Sequence, residues 1–480
     1  MTQTSSPNRA PGAAGIVAQA PPAYGARRPL AILAVILTGQ FMAVLDNSIV
    51  NVAIPSIRDD LRSSGSALQL IVAGYVIAYA VLLVTGARLG DRFTQRRAFV
   101  AGLTLFTVSS LACGLAWNGT SLIVFRFMQG IGAAAMVPQV MTLIQRNFTG
   151  NARAKALSAY SAIISGGMVV GQLLGGLIVQ ADLFDSSWRG VFLVNVPIGV
   201  VLLVVAPKVL PASARFDRAV DLPGLAMLTA AVLLLVLPLV LGHEQDWPLW
   251  TWIALGASVI AVGAFLLIER AVAARGGEPL FARRTLRTPR LLLTAATLFV
   301  IMATFSGWMF VMAIHLQSTL DYSALHAGLL FTPMGLTFAL GSLYWERIPA
   351  RMHALMIPAG LVVGAVSMVA LGMSLREGAD FGVTAMTLFG IMGLGTGLAF
   401  SPLMTRTLAR VPMDLAADAS GILVTSVQLG IVVGIATFGT VFLGLAGATP
   451  LSAAHALGGT AIAEGVTVLL AAALATRAAR

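Results

Sequence analysis

Asp46 is the residue on which chemistry would turn in this chain. It stands in AILAVILTGQFMAVLDNSIVNVAI, residues 31–54, a run long enough to cross a bilayer. An ionisable group inside hydrocarbon costs several kcal/mol, so it is normally paired, reached by water, or used to move a proton or ion. Gln40, Asn47 and Asn51 share the run. Their spacing puts them on one helical face, with Asp46 about 100° from Asn47, so the helix has a wet side. A second charge, Arg126, lies inside the apolar run 121–144. At 1.5 Å per residue, in a core ~30 Å thick, Asp46 is ~22 Å and Arg126 ~21 Å from the side where the chain begins. Burial favours the protonated carboxyl and a nearby guanidinium the ionised one, so a change in their separation or hydration could switch a proton on and off. Two readings fit: a proton carrier, or a static ion pair fixing the first span against the fourth. Gln129, one turn beyond Arg126, either orients it or lines a cavity.

The elements that must position these residues follow from composition. The 480 residues are 58% hydrophobic and 10% charged, against about 25% charged in a soluble domain. An all-α polytopic membrane protein is expected. The net charge of +11 lies in short loops between apolar runs rather than on one face of a domain, which argues against nucleic acid. Lys155 and Lys208, the two lysines, follow Ala and Pro, so there is no phosphate-binding loop of the Gly-Lys-Ser/Thr type, and GLGTG at 393–397 reads as packing glycines. The five histidines show no metal-ligand spacing and no nucleophile elbow occurs. Neither an enzyme nor a cofactor or metal is expected. Cys113, the single cysteine, lies in an apolar run and reads as a small core residue.

Residues 1–30 are poor in large apolar side chains and read as a disordered tail, with Arg27 and Arg28 anchoring the first span rather than signalling export. Fourteen apolar windows of about 20 residues then recur between 31 and 476. Almost all of the 30 Lys and Arg fall in alternate loops on the tail's side, leaving Arg58, Arg62, Arg189 and Arg376 opposite. By the positive-inside rule both termini are cytoplasmic. The loop after the second span, GARLGDRFTQR, echoes GSLYWERIPAR after the tenth: Gly86, Asp91, Arg92 and Arg96 against Gly341, Glu346, Arg347 and Arg351. Gly167, Gly171 and Gly175 echo Gly430, Gly434 and Gly439, with the last interval one residue longer. Matched spacing at matched topology argues for two six-helix bundles, 31–206 and 291–480, related by duplication, with 207–290 carrying an inserted helix pair.

At these motifs the chain resembles the major facilitator superfamily, and within it the 14-span drug:proton antiporters. LDNSIVNVAIP (45–55) is similar to that family's motif D, GARLGDRFTQRR (86–97) to motif A, RFMQGIGAA (126–134) to motif B and GMVVGQLLGG (167–176) to motif C. WRGVFLVNVPIG (188–199) and HLQSTLDYSALHAG (315–328) resemble further stretches of the branch. Gln172 stands where motif C usually has proline, and Thr94 where motif A usually has glycine. The resemblance implies a major facilitator fold with 14 transmembrane helices, and gating by Asp91 with Gly86, Arg92 and their counterparts Glu346 and Arg347. It assigns Gly167, Gly171, Gln172, Gly175 and Gly176 to a sliding contact between halves, although simple close packing fits the residues equally. A substrate cavity is expected between the halves, lined by Gln40, Asn47, Asn51, Gln129, Phe305, Trp308, Met309, Met312 and Gln428. Ordinary packing is the competing reading of the aromatic and methionine members. His315 and Glu464 fall near span ends and read as interfacial. The expected function is proton-coupled export of small amphipathic or hydrophobic compounds, by a monomer in the cytoplasmic membrane with lipids, protons and the small-molecule substrate as partners. The alternatives are a proton-coupled transporter of a specific metabolite and a receptor or scaffold without transport.

Overall fold

The computed structural model describes residues 27–182, 186–211, 222–242, 245–277, 279–280, 283–411, 416–447 and 449–479; the tail reading for 1–26 lies outside them. The described elements are helical. The first group is α1 (Arg27–Leu61), α2 (Gly65–Phe93), α3 (Gln95–Gly114), α4 (Gly119–Asn147), α5 (Gly150–Ala181), the short α6 (Gly190–Leu193) and α7 (Asn195–Val209). Then come α8 (Leu222–Leu241), α9 (Leu249–Ala274) and the short α10 (Arg283–Leu286). The last group is α11 (Leu291–Ile314), α12 (Ala324–Leu330), α13 (Thr332–Tyr344), α14 (His353–Ser374), α15 (Val383–Ala409), α16 (Ala416–Leu445) and α17 (Pro450–Ala479). Helices are what these apolar windows must form, since hydrocarbon offers backbone groups no partner outside the segment itself.

Thirteen helical segments among the described residues are long and apolar enough to cross a membrane. The fifth expected span coincides with α5, whose described apolar stretch, Val170–Ala181, is shorter. Local signals set the boundaries. The Ser64 hydroxyl accepts from the Ala67 N–H to start α2, and Asn118 and Ser121 cap each other's backbone to start α4. Thr94 closes α2 and opens α3 at φ +96°, the backbone region that favours glycine, and its hydroxyl accepts from the Arg97 N–H. That bond offsets part of the strain of the missing glycine.

The glycine echoes correspond to equivalent packing. Gly167, Gly171 and Gly175 let α5 lie on Val44, Ser48 and Ile49 of α1, while Gly430 and Gly434 let α16 lie on the Phe299 and Ala303 carbonyls of α11. Gly86 meets the Ala134 carbonyl of α4, and Gly341 the Leu394 carbonyl of α15. The pairs α1/α5, α2/α4, α11/α16 and α13/α15 therefore repeat one pattern.

The end of the bundle carrying the start of α1 is here the tail end, and the opposite one the far end. Several contacts between the first and last groups lie at the far end. Thr440 of α16 donates to the Leu239 carbonyl of α8 at 2.7 Å, with Gln69 Oε1 of α2 at 3.4 Å, and Gly439 lies against the Gln69 amide. Gly176 of α5 faces the backbone of Ala324 and Leu325, and Gly328 faces the Gln172 carbonyl. Helix α8 packs on both α2 and α16, and α9 packs on α8 with Trp252, Val259, Ile260 and Leu267 exposed, as a lipid-facing surface requires. At the tail end Arg88 of α2 donates to the Pro279 carbonyl, and Glu269 of α9 accepts from the Leu280 N–H at 3.0 Å.

Candidate functional site

Asp46 and Arg126 meet in the middle of the first group, both fully buried, with Arg126 Nη1 donating to Asp46 Oδ2 at 2.5 Å. Depth counted along two antiparallel helices places them level, and the rotation of each helix turns them face to face. The carboxylate is not left to one partner. Gln129 Nε2 donates to Asp46 Oδ1 at 2.8 Å and Asn195 Nδ2, from the first turn of α7, at 3.0 Å. Three donors on a buried carboxylate are what an ion needs once water is removed.

Arg126 has a second set of contacts that does not involve Asp46. Its Nε donates to the Ile71 carbonyl of α2 at 3.0 Å and its Nη1 to Gln129 Oε1 at 2.8 Å. Its guanidinium carbon lies 4.6 Å from the Tyr75 ring centroid and 5.6 Å from that of Phe192 in α6, close enough for cation–π attraction. Gln129 is fully engaged: its amide also donates to Ser110 of α3 at 2.7 Å, and its carbonyl oxygen accepts from Cys113 Sγ at 3.8 Å. Of the two roles open to Gln129, the geometry supports orienting the pair. Cys113 is buried as expected. Asn195 is a member of this cluster that sequence reasoning misses. A lone amide within the nearly continuous apolar run 190–206 is the signal that could have found it.

The other candidates spread over the bundle. Gln40 is buried with Oε1 unpartnered, while Asn47 and Asn51 are half-buried. Phe305, Trp308, Met309, Met312 and Gln428 are buried, and Phe305 borders a small apolar void inside the last group, lined with Ile301, Thr304, Met368, Met392 and Val468. The side chain of Asp91 lies outside the described residues. Arg92 is exposed beside the Phe93 ring, and Arg347 is exposed beside the Tyr344 ring, as is Glu346. Gly167, Gly171 and Gly175 face α1 within the first group, whereas Gln172 and Gly176 face α12 of the last group. With Gln172 in place of proline, α5 runs unbroken.

Two interfacial expectations fail. His315 and Glu464 are both fully buried, with no hydrogen-bond partner for either among the described residues. The hydropathy window begins the last span at 459, but α17 starts at Pro450, which moves Glu464 about four turns into the helix. Likewise α11 continues through a wider turn, His315–Thr319, instead of ending at His315. At the far end Trp188 Nε1 and Arg189 both bond Asp60 of α1, at 2.9 and 2.7 Å, ties that no motif or spacing foretells.

Comparison with known proteins agrees with this architecture. The chain is 36% identical over 446 residues to a probable actinorhodin transporter of Streptomyces coelicolor, covering 92% of this chain and 76% of the relative. It is 33% identical to a tetracenomycin C resistance and export protein of Streptomyces glaucescens, covering 87% of this chain and 77% of the relative. Among solved structures, a bacterial homolog of the human lysosomal transporter Spinster superposes with a TM-score of 0.69 at 15% identity, covering 95% of this chain and 98% of that one. A D-xylose-proton symporter superposes with a TM-score of 0.64 at 15% identity, covering 93% and 97%. The sequence profile of the Major Facilitator Superfamily matches residues 36–435, and with that match over a many-helix bundle built around a buried ion pair, the chain belongs to the Major Facilitator Superfamily.

Proposed function

We propose that the protein exports small amphipathic or hydrophobic compounds, of the antibiotic kind for which its relatives are named, across the cytoplasmic membrane in exchange for protons. The observation that carries the coupling is the double set of contacts around Arg126. Protonating Asp46 removes the charge facing a buried guanidinium, a change that is normally severe because it leaves an ion alone in a dry interior. Here the Ile71 carbonyl, Gln129 and the rings of Tyr75 and Phe192 keep hold of the cation. The carboxyl group can therefore change its protonation state while Arg126 stays in place.

In this reading the cytoplasmic tail expected for 1–30 stops at 26, because α1 already begins at Arg27; the two rocking halves then run to 206 and over 291–480, and 207–290 carries the inserted pair. That gives 14 spans, α5 included, with both termini in the cytoplasm. Asp46 and Arg126 couple protons, and Gln129 and Asn195 hold the carboxylate. Gly86, Asp91, Arg92, Glu346 and Arg347 serve the tail-end gate, and Gln172 and Gly176 the moving contact. Gln40, Asn47, Asn51, Phe305, Trp308, Met309, Met312 and Gln428 line the substrate path once the halves part. The protein works as a monomer, without enzymatic activity or cofactor. One proton crossing ~100 mV supplies about 2.3 kcal/mol, and each pH unit adds about 1.4 kcal/mol. Together these sustain a several-hundred-fold gradient.

In inverted membrane vesicles given a pH gradient, Asp46→Asn is expected to abolish dye efflux while the protein remains folded. Intact proton-driven efflux in that variant would overturn the assignment. A metabolite-specific transporter passes the same test but fails to protect a pump-deficient host against a panel of toxic compounds, and a transport-inactive receptor shows no proton flux with any of them.

A further inference from the structure

Asp46 is not the sole carboxyl group sealed among the helices. Glu464 of α17 is fully buried, and neither carboxyl oxygen has a hydrogen-bond partner among the described residues. It is wedged where α17 meets α11 and α16: a Cβ at Gly307 would lie 2.8 Å from Glu464 Oε1 and 2.8 Å from the Phe438 side chain. An acid held for structure would use a partner, and an apolar residue would fill an apolar slot better. A buried acid that stabilises nothing is a functional group by default.

The surroundings narrow its ligand. Between Leu291 and Ile314, α11 has no titratable residue. On α16 there is one, Asp418, whose side chain lies outside the described residues. His315 follows Gly307 by eight residues, about 12 Å along the axis, and Arg376 packs on Gly458, six residues or about 9 Å above Glu464. On α14, His353 bonds the Ile348 carbonyl at the tail end. No second ligand stands ready for a metal ion among the described residues, and the close walls leave no room for an organic cation. A proton is what fits, and the void one turn toward the tail end, beside Thr304 and Val468, has room for about one water and an almost wholly apolar wall.

We propose that Glu464 is a second proton site, loaded when the far end opens, occluded in this conformation and released toward the tail end. The gate is the stretch of α16 that covers it. Phe438 lies over Gly307, and the next two residues, Gly439 and Thr440, are those that touch Gln69 of α2. Separating α2 from α16 moves the cover of Glu464. This inference rests on the exporter reading but is tested apart from it.

The experiment is infrared spectroscopy of the full-length protein in lipid at neutral pH, with transfer into heavy water. A carbonyl-stretch band of a protonated carboxyl is expected in wild type and in Asp46→Asn, absent in Glu464→Gln and displaced in Glu464→Asp. In a Gln69→Cys/Thr440→Cys protein bridged by a short bifunctional thiol reagent, the band should exchange with heavy water at least tenfold more slowly than in the unbridged protein. No band in wild type, or equal exchange with and without the bridge, overturns the proposal. Neither result touches the efflux assay, and loss of efflux in wild type would sink the exporter reading while leaving this band in place.

Discussion

Beyond Asp46, Arg126 is held by the Ile71 carbonyl, Gln129 and the rings of Tyr75 and Phe192. Replacing it by methionine leaves the Asp46 charge buried with only the Gln129 and Asn195 amides, and should destabilise the protein by about 3–5 kcal/mol, measured by thermal unfolding in detergent. The Asp46→Asn/Arg126→Met double variant should recover most of that loss, because no ion remains uncompensated. Asn195→Leu removes one donor to a charged acceptor and should cost about 1.5–3 kcal/mol in the same assay. How far sequence reaches is plain at this scale. Counting residues along two helices puts Asp46 and Arg126 at one depth, because helical rise is fixed. Counting cannot choose between orienting and lining roles for Gln129, nor find Asn195, because partner choice depends on how α3, α4 and α7 rotate against α1.

At the scale of single elements, the glycine spacing carries real geometry. Gly86 and Gly434 sit where a side chain would strike the carbonyls of Ala134 and Ala303. Valine at either position should force α2 from α4 or α16 from α11 and destabilise by at least about 1–3 kcal/mol. Gly263 of α9 has open space where a Cβ would point, with nothing within 4 Å, and should accept alanine with a gain of about 0.5–1 kcal/mol; folded yield and unfolding temperature measure both. Thr94 tests a local conflict: Thr94→Val keeps the positive φ but loses the cap to Arg97, and should lower stability by about 1 kcal/mol. The repeat is readable because close approach restricts the residue type to glycine. The start of α17 is not, because PLSAAHALGG is only weakly apolar and becomes helical through packing against α14 and α11. That error at one helix end carried Glu464 from the core to the surface.

Across the whole molecule, contacts at the far end join groups that lie hundreds of residues apart. Bridging Gln69→Cys to Thr440→Cys should stop transport by at least tenfold and reduction should restore it, read as efflux with and without reductant. Background is low because Cys113, the single cysteine, is buried. Composition and loop charge are enough to foresee the bundle, but not where its first and last groups touch, since that depends on small contacts such as Gly176 on Ala324. The position of α8 carries one more consequence. A duplicated bundle has two lateral seams, α2 with α16 and α5 with α12 and α13. On the first, α8 lies across both helices with Val236 and Val240 buried against them. On the second, Val170 and Leu177 of α5 and Leu329 and Leu336 of α12 and α13 are bare. A molecule already dissolved in the bilayer, or a lipid tail, thus meets a third helix on one flank and two closely packed but uncovered helices on the other, so the insertion has given a duplicated bundle a front and a back.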